Sequence, residues 1–213
     1  SLRNKLIQKF EKIGSSGQYV LGNELKVFEK RIEKFLKVKH VLGVGNWTEG
    51  TVMVLKALGY KKGDEIITVS NSFIATCGAI SYSGLTPQLI DVGEDLNIDV
   101  KQIRKKINKK TRAIMPVHLS GIPSNLEVLK KICKREKLHL IEDAAHAFGT
   151  KYKDKYIGTI GDVGIFSLHP RKSFHVLGDG GLIITNNTNL YKRILLLRNH
   201  GLINRDKSLV WGT

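Results

Sequence analysis

Two short segments hold the side chains best suited to a reaction centre. In Ile141-Glu142-Asp143-Ala144-Ala145-His146-Ala147, two carboxylates stand where an apolar run ends, followed by small residues and an imidazole. If that run is a buried strand, its end is the carboxyl edge at which α/β sheets bind ligands. The alanines would let a flat ligand come close. Asp143 is equally suited to cap a following helix, and the segment alone leaves both readings open. In Phe166-Ser167-Leu168-His169-Pro170-Arg171-Lys172, continuing to Leu177-Gly178-Asp179-Gly180-Gly181, a strand ends in Ser and His, and a loop then carries one lysine toward a glycine-rich turn. A lysine at the mouth of a sheet can form a Schiff base with an aldehyde cofactor if its surroundings lower its pKa. In a chain this rich in lysine, an ordinary surface lysine is the competing reading.

Other motifs carry less. Gly43-Val44-Gly45 lacks the third glycine of a dinucleotide fingerprint, because position 48 is Thr, and Gly178 to Gly181 precede a strand where the fingerprint would open a helix. No Walker lysine pattern occurs. Asn46-Trp47-Thr48 and Asn186-Asn187-Thr188 are formal glycosylation sequons without an export signal to give them meaning.

These segments must be held by an ordered domain, and the 213 residues suffice for one with a real core. The apolar fraction of 41% and charged fraction of 25% are those of a globular chain. No stretch approaches the roughly 20 apolar residues of a membrane span. Cys77 and Cys133 stand far apart, which disfavours a disulfide scaffold or a thiolate zinc site and points to a reducing cytoplasm. The net charge of +16 invites a nucleic-acid reading. The basic residues are, however, dispersed along the chain. Their densest runs, Lys101 to Lys110 and Lys130 to Lys137, fall on expected amphipathic helices, where solvated lysine is the simpler account. Neither a nucleic acid nor a membrane is expected as a partner.

Short β-branched runs alternate with segments of helical period, the signature of parallel βαβ units. The expected strands are His40–Val44, Glu65–Val69, Pro87–Val92, Arg112–Val117, His139–Glu142, Gly164–Leu168 and Gly181–Thr185. The expected helices are Glu24–Lys37, Thr48–Leu58, Ile74–Ser83, Val100–Ile107, Leu126–Glu136 and Asn189–Arg198, with Asp99 and Ser124 as N-caps of two of them. The fold class expected is three-layer α/β/α around a mostly parallel sheet of seven strands, with an N-terminal arm and helix over 1–39 and an α/β core over 40–201. The end at Trp211-Gly212-Thr213, without a closing element, suggests part of a longer protein.

In order along the chain, several blocks together resemble the DegT/DnrJ/EryC1/StrS family of pyridoxal-phosphate (PLP) sugar aminotransferases, of the fold-type I aspartate aminotransferase superfamily. They are Gly17 to Gly22 with Phe28-Glu29, Leu55 to Gly59, Gly63 to Ile67, Ser72 to Thr76, Pro116 to Gly121, Glu142 to His146, Ser167 to Lys172, Gly178 to Gly181 and Arg198 to Gly201. The resemblance covers the family's PLP-binding large domain and implies that the C-terminal small domain is absent from this chain.

By that resemblance Lys172 is the Schiff-base lysine and proton carrier, Asp143 pairs with the pyridine nitrogen, and His146 faces the phenolic oxygen. Thr48, the backbone N–H of Glu49 and Ser167 would bind the phosphate, and Phe73 would stack on the ring. The implied reaction moves an amino group, from glutamate by family analogy, to a nucleotide-linked keto-sugar in a homodimer. Trp47 stands where the family usually has glycine, which would crowd the phosphate loop if the backbone there needs φ > 0. The alternatives are a PLP-dependent deoxysugar dehydratase of the same family, against which Lys172 argues because its members carry histidine there, and a non-catalytic basic binding domain.

Overall fold

The computed structural model describes residues 1–204 and 206–210. Residues 211–213, on which the reading of an open end rests, lie outside them. The chain begins with helices α1 (Leu2–Ser16) and α2 (Asn23–Leu36). It continues through β1 (His40–Val44), α3 (Trp47–Ala57), β2 (Glu65–Val69), α4 (Ala75–Tyr82), β3 (Thr86–Ile90), α5 (Val100–Lys106), β4 (Thr111–Met115), α6 (Leu126–Glu136) and β5 (His139–Asp143). A small hairpin, β6 (Lys151–Tyr152) with β7 (Lys155–Tyr156), precedes β8 (Val163–Ser167), β9 (Gly181–Thr185) and α7 (Thr188–Arg198). A last hairpin pairs β10 (Leu202–Asn204) with β11 (Lys207–Ser208).

Seven strands form one sheet in the order β1-β9-β8-β5-β4-β2-β3. It is parallel from β8 through β5, β4 and β2 to β3, whereas β9 runs antiparallel to both neighbours. The reason is local. Residues 168–180 between β8 and β9 contain no helix to carry the chain back across the sheet, so the next strand returns in the opposite direction.

Alternate residues of each strand face opposite layers. Val41, Ile67, Ile114, Leu140, Phe166, Leu182 and Ile184 pack with Ile32 and Leu36 of α2, Ile103 of α5, and Leu129 and Ile132 of α6. Leu42, Ile66, Ala113, Met115, Ile141, Val163, Ile165 and Ile183 pack with α3, α4 and α7. These are the two covered faces that nearly continuous apolar strands call for. Among the described residues no helix is long and apolar enough to cross a membrane.

Four expected elements have the observed limits, and most of the others shift by one or two residues. Strand β3 ends at Ile90, since Val92 leaves the ladder to bridge Ile98. Asp99 caps α5 by accepting from the Lys101 N–H. Ser124 does not cap α6: Asn125 does, accepting from Val128 N–H, while the buried Ser124 hydroxyl donates to Asn97. The charge is also less dispersed than the sequence suggests. Residues 99–110 and 126–137 hold eleven cations against three acids, half the net charge, and α5 and α6 lie together on one layer. Folding brings together two basic runs that are about one crossover apart in sequence.

Candidate active site

A cavity of about 1000 Å³ opens at the carboxyl edge of the parallel strands, where β5 and β8 lie side by side. Its lining includes Asp143 and Ser167 from the ends of those strands, Thr48 and Glu49 from the start of α3, Phe73 ahead of α4, and His146 and Lys172 from the following loops. All seven residues singled out in the sequence therefore meet in one place.

Strand parity decides which carboxylate enters. Asp143 shares the parity of Ile141 and faces α3 and α4, whereas Glu142 shares that of Leu140 and turns to the opposite layer. There, fully buried, it accepts from the N–H groups of Gly158, Ile160 and Gly161 at 2.6–2.8 Å and faces His118 Nε2 at 3.2 Å. His118 Nδ1 accepts from Ser124 N–H, so in the neutral ring Nε2 carries the proton toward Glu142. Of the two carboxylates at this edge, one is structural.

Asp143 does not cap a helix, because residues 144–149 form turns. Among the described residues its oxygens accept only from Thr76 Oγ1 at 3.1 Å and Ala145 N–H at 3.2 Å, with Ser72 Oγ 2.7 Å behind Thr76. Burial pushes its acid up to about 6, against those two hydrogen bonds and the more distant His118 and Lys172 charges. Burial also lowers the Lys172 ammonium, with Arg171 acting in the same direction and Asp143 opposing both. The lysine and aspartate thus sense each other across the cavity without forming an ion pair.

His146 is fixed from behind. Ser120, at φ 53° in the left-handed region, donates its N–H to His146 Nδ1 at 3.2 Å, and Gly121 follows at φ 81°. The turn keeps Nε2 as the protonated nitrogen of the neutral ring, while burial and then Lys172 push the imidazole below its usual value.

The start of α3 differs from expectation in two ways. The backbone of Trp47 is outside the positive-φ region, so a side chain there is tolerated, and the indole packs into the second core layer. The Glu49 N–H, expected to meet a phosphate, donates instead to the capping Asn46 Oδ1 at 2.8 Å. Thr48, one residue earlier, is exposed and lines the cavity. Gly181 completes this corner: a Cβ there would sit 2.7 Å from the Asn46 carbonyl carbon, so only glycine lets β9 approach the turn. Phe73 is 74% exposed at the rim, which removes a core role for it. Sequence reasoning gave no role to Thr76, Asn46 or the Ser120 N–H. Only Asn46 had a local signal, a capping residue three positions before Glu49.

This arrangement defines a class: an α/β domain whose sheet edge sets a lysine amine and a buried carboxylate in one cleft. The chain belongs to the DegT/DnrJ/EryC1/StrS aminotransferase family, whose model matches residues 1–213. It is 36% identical over 201 residues to a dTDP-3-amino-3,4,6-trideoxy-alpha-D-glucose transaminase of Streptomyces venezuelae, covering 94% of this chain and 53% of that one. Its structure is similar to that of S. venezuelae DesV in complex with a ketimine intermediate, with a TM-score of 0.96 and 35% identity over 100% of this chain and 57% of that one. It is also similar to ntda from Bacillus subtilis with bound cofactor PMP, with a TM-score of 0.93 and 31% identity over 99% and 48%. The chain spans about half the length of the curated relatives it matches.

Proposed function

We propose that this chain is the cofactor-binding large domain of a pyridoxal-phosphate aminotransferase that moves an amino group, with glutamate as donor, to a nucleotide-linked keto-sugar. We place it in the cytoplasm as a homodimer, with a C-terminal small domain supplied by a longer protein. The transaminase relative supports the substrate class, and the PMP-bound structure supports the cofactor. The observation that carries the reading is that Lys172 and Asp143 line the same cavity from different elements.

The residues fit the cofactor. A buried acid pushed up to about 6 with only two neutral donors lacks a cationic partner, and a protonated ring nitrogen is one. When bound, the cofactor supplies an aldehyde that captures amines and a ring that withdraws electrons from the carbon next to the captured nitrogen. Asp143 holds the proton on the ring nitrogen. Lys172 would provide the anchoring amine, and its Nζ would take and return the proton of the substrate carbon, a role that its lowered pKa favours. His146 donates from Nε2 to the phenolic oxygen. Thr48 and Ser167 bind the phosphate at the positive end of α3, with Glu49 contributing through its place at that helix start, since Asn46 occupies its N–H. Phe73, at the rim of the cavity, would lie over the ring face.

Incubation with pyridoxal phosphate, borohydride reduction and peptide mass mapping should place a single label on Lys172. Lys172→Ala should remove it, and L-glutamate should yield 2-oxoglutarate with the loaded protein. Labels spread over surface lysines and indifferent to Lys172→Ala would sink the reading. A loaded protein inert to glutamate would favour the dehydratase.

A further inference from the structure

Lys172 lies in a loop that has no helix or strand to hold it, yet its backbone is closely tied. Its N–H donates to the His169 carbonyl at 2.9 Å, its carbonyl lies 3.1 Å from His175 Nδ1, and Val176 N–H closes the loop onto Leu168 at 3.0 Å. From Arg171 to Leu177 exposure alternates. Residues 171, 173, 175 and 177 are exposed, while Lys172, Phe174 and Val176 are half-buried. Phe174 and Val176 pack on the core, and Lys172, two residues before Phe174, lines the cavity.

The Phe174 ring stacks on Phe148 with centroids 4.1 Å apart and planes 17° apart, and meets Phe28 of α2 at 6.3 Å. Phe148 is in turn braced edge-on by Phe166 of β8 at 5.5 Å and stacked on Phe35 of α2 at 5.7 Å. Phe148 follows His146 by two residues, just as Phe174 follows Lys172 by two. The stacked pair thus joins the loops bearing the cavity's imidazole and its amine, and anchors both to β8 and α2.

We propose that Phe174, stacked on Phe148, is a positioning residue that sets the Lys172 amine against His146 and Asp143. Among the described residues neither loop has a strand partner at these positions, so shortening this contact leaves the lysine's loop held by its backbone hydrogen bonds alone and widens the range of positions open to the amine. An aromatic pair of this kind is strong enough to shift a loop population several-fold. The inference rests on Lys172 as the cofactor-bearing amine, but its effect on geometry can be read without cofactor.

The test is competitive acylation of the lysines in the cofactor-free chain across pH 6–11, read by peptide mass mapping. It is run on wild type, Phe174→Ala, Phe174→Leu and Phe35→Ala, the last cutting the same aromatic cluster away from the lysine. In wild type, Lys172 should titrate below the surface lysines. Phe174→Ala should move it into their range and slow pyridoxal-phosphate capture at Lys172 about tenfold. Phe174→Leu, still an apolar foot, should restore most of both properties, and Phe35→Ala should lower thermal stability while leaving the Lys172 profile in place. If Phe174→Ala does not fold, Phe174→Val should shift the profile the same way by less. An unchanged profile in the Phe174 variants, or an equal shift in Phe35→Ala, would overturn the inference. A wild-type lysine with a shifted profile that captures no pyridoxal phosphate would count against the proposed function and leave the positioning role standing.

Discussion

Glu142 and Asp143 are neighbours on one strand and near opposites in environment. Glu142 has three backbone N–H donors and an imidazole around it. Asp143, 2% exposed, has one hydroxyl and one N–H. Both carboxylates are out of water. The fold meets the hydrogen-bonding capacity of one, and the other keeps open acceptor capacity at the cavity. Burial alone therefore does not mark a functional acid. The informative quantity is how far its hydrogen-bonding capacity is already met.

The comparison can be broken most forcefully at Glu142. Glu142→Ala orphans one buried and two partly buried N–H groups, the buried one alone costing about 1–3 kcal/mol, so a loss of about 2 kcal/mol or more is expected in urea melts. A loss under about 1 kcal/mol would make the two carboxylates alike. Asp143→Asn should act in the opposite direction on the cofactor-free protein. Because the folded acid is raised to about 6 from 3.8, the folded state binds the extra proton between those values. Its contribution to stability is full below pH 3.8 and is lost as pH rises through about 6, a change of about 3 kcal/mol. Asp143→Asn should flatten that part of the profile and gain up to about that amount at pH 7, while abolishing amino transfer. A smaller effect sharpens the contrast. Thr76→Val removes one of the two donors and should move the midpoint above about 6, costing about 1 kcal/mol at pH 7. An unmoved midpoint in stability-versus-pH measurements would show that the hydroxyl does not support the anion.

The sheet was legible because buried strands and their crossovers are local patterns. His40–Val44, Glu65–Val69, Gly181–Thr185 and Leu126–Glu136 could be delimited residue by residue. What escaped depends on contacts distant in sequence. Ser124 and Asn125 are equally good caps on local grounds, and the choice between them falls to Asn97, 27 residues away from Ser124. The β6–β7 hairpin is too short and polar for a periodic signal. At the site, the residue types were visible, but the division of labour at 142 and 143 requires knowing which layer each face meets. The capture of the Glu49 N–H by Asn46 likewise requires the cap geometry itself.

The layer formed by α5 and α6 has a consequence for how the molecule meets its own kind. With eleven cations against three acids over these two stretches, two copies brought together through this side would face like charge within a Debye length, about 8 Å at physiological ionic strength. Like charge disfavours self-association through it, and raising the salt concentration weakens that orientational bias before it affects the packed core.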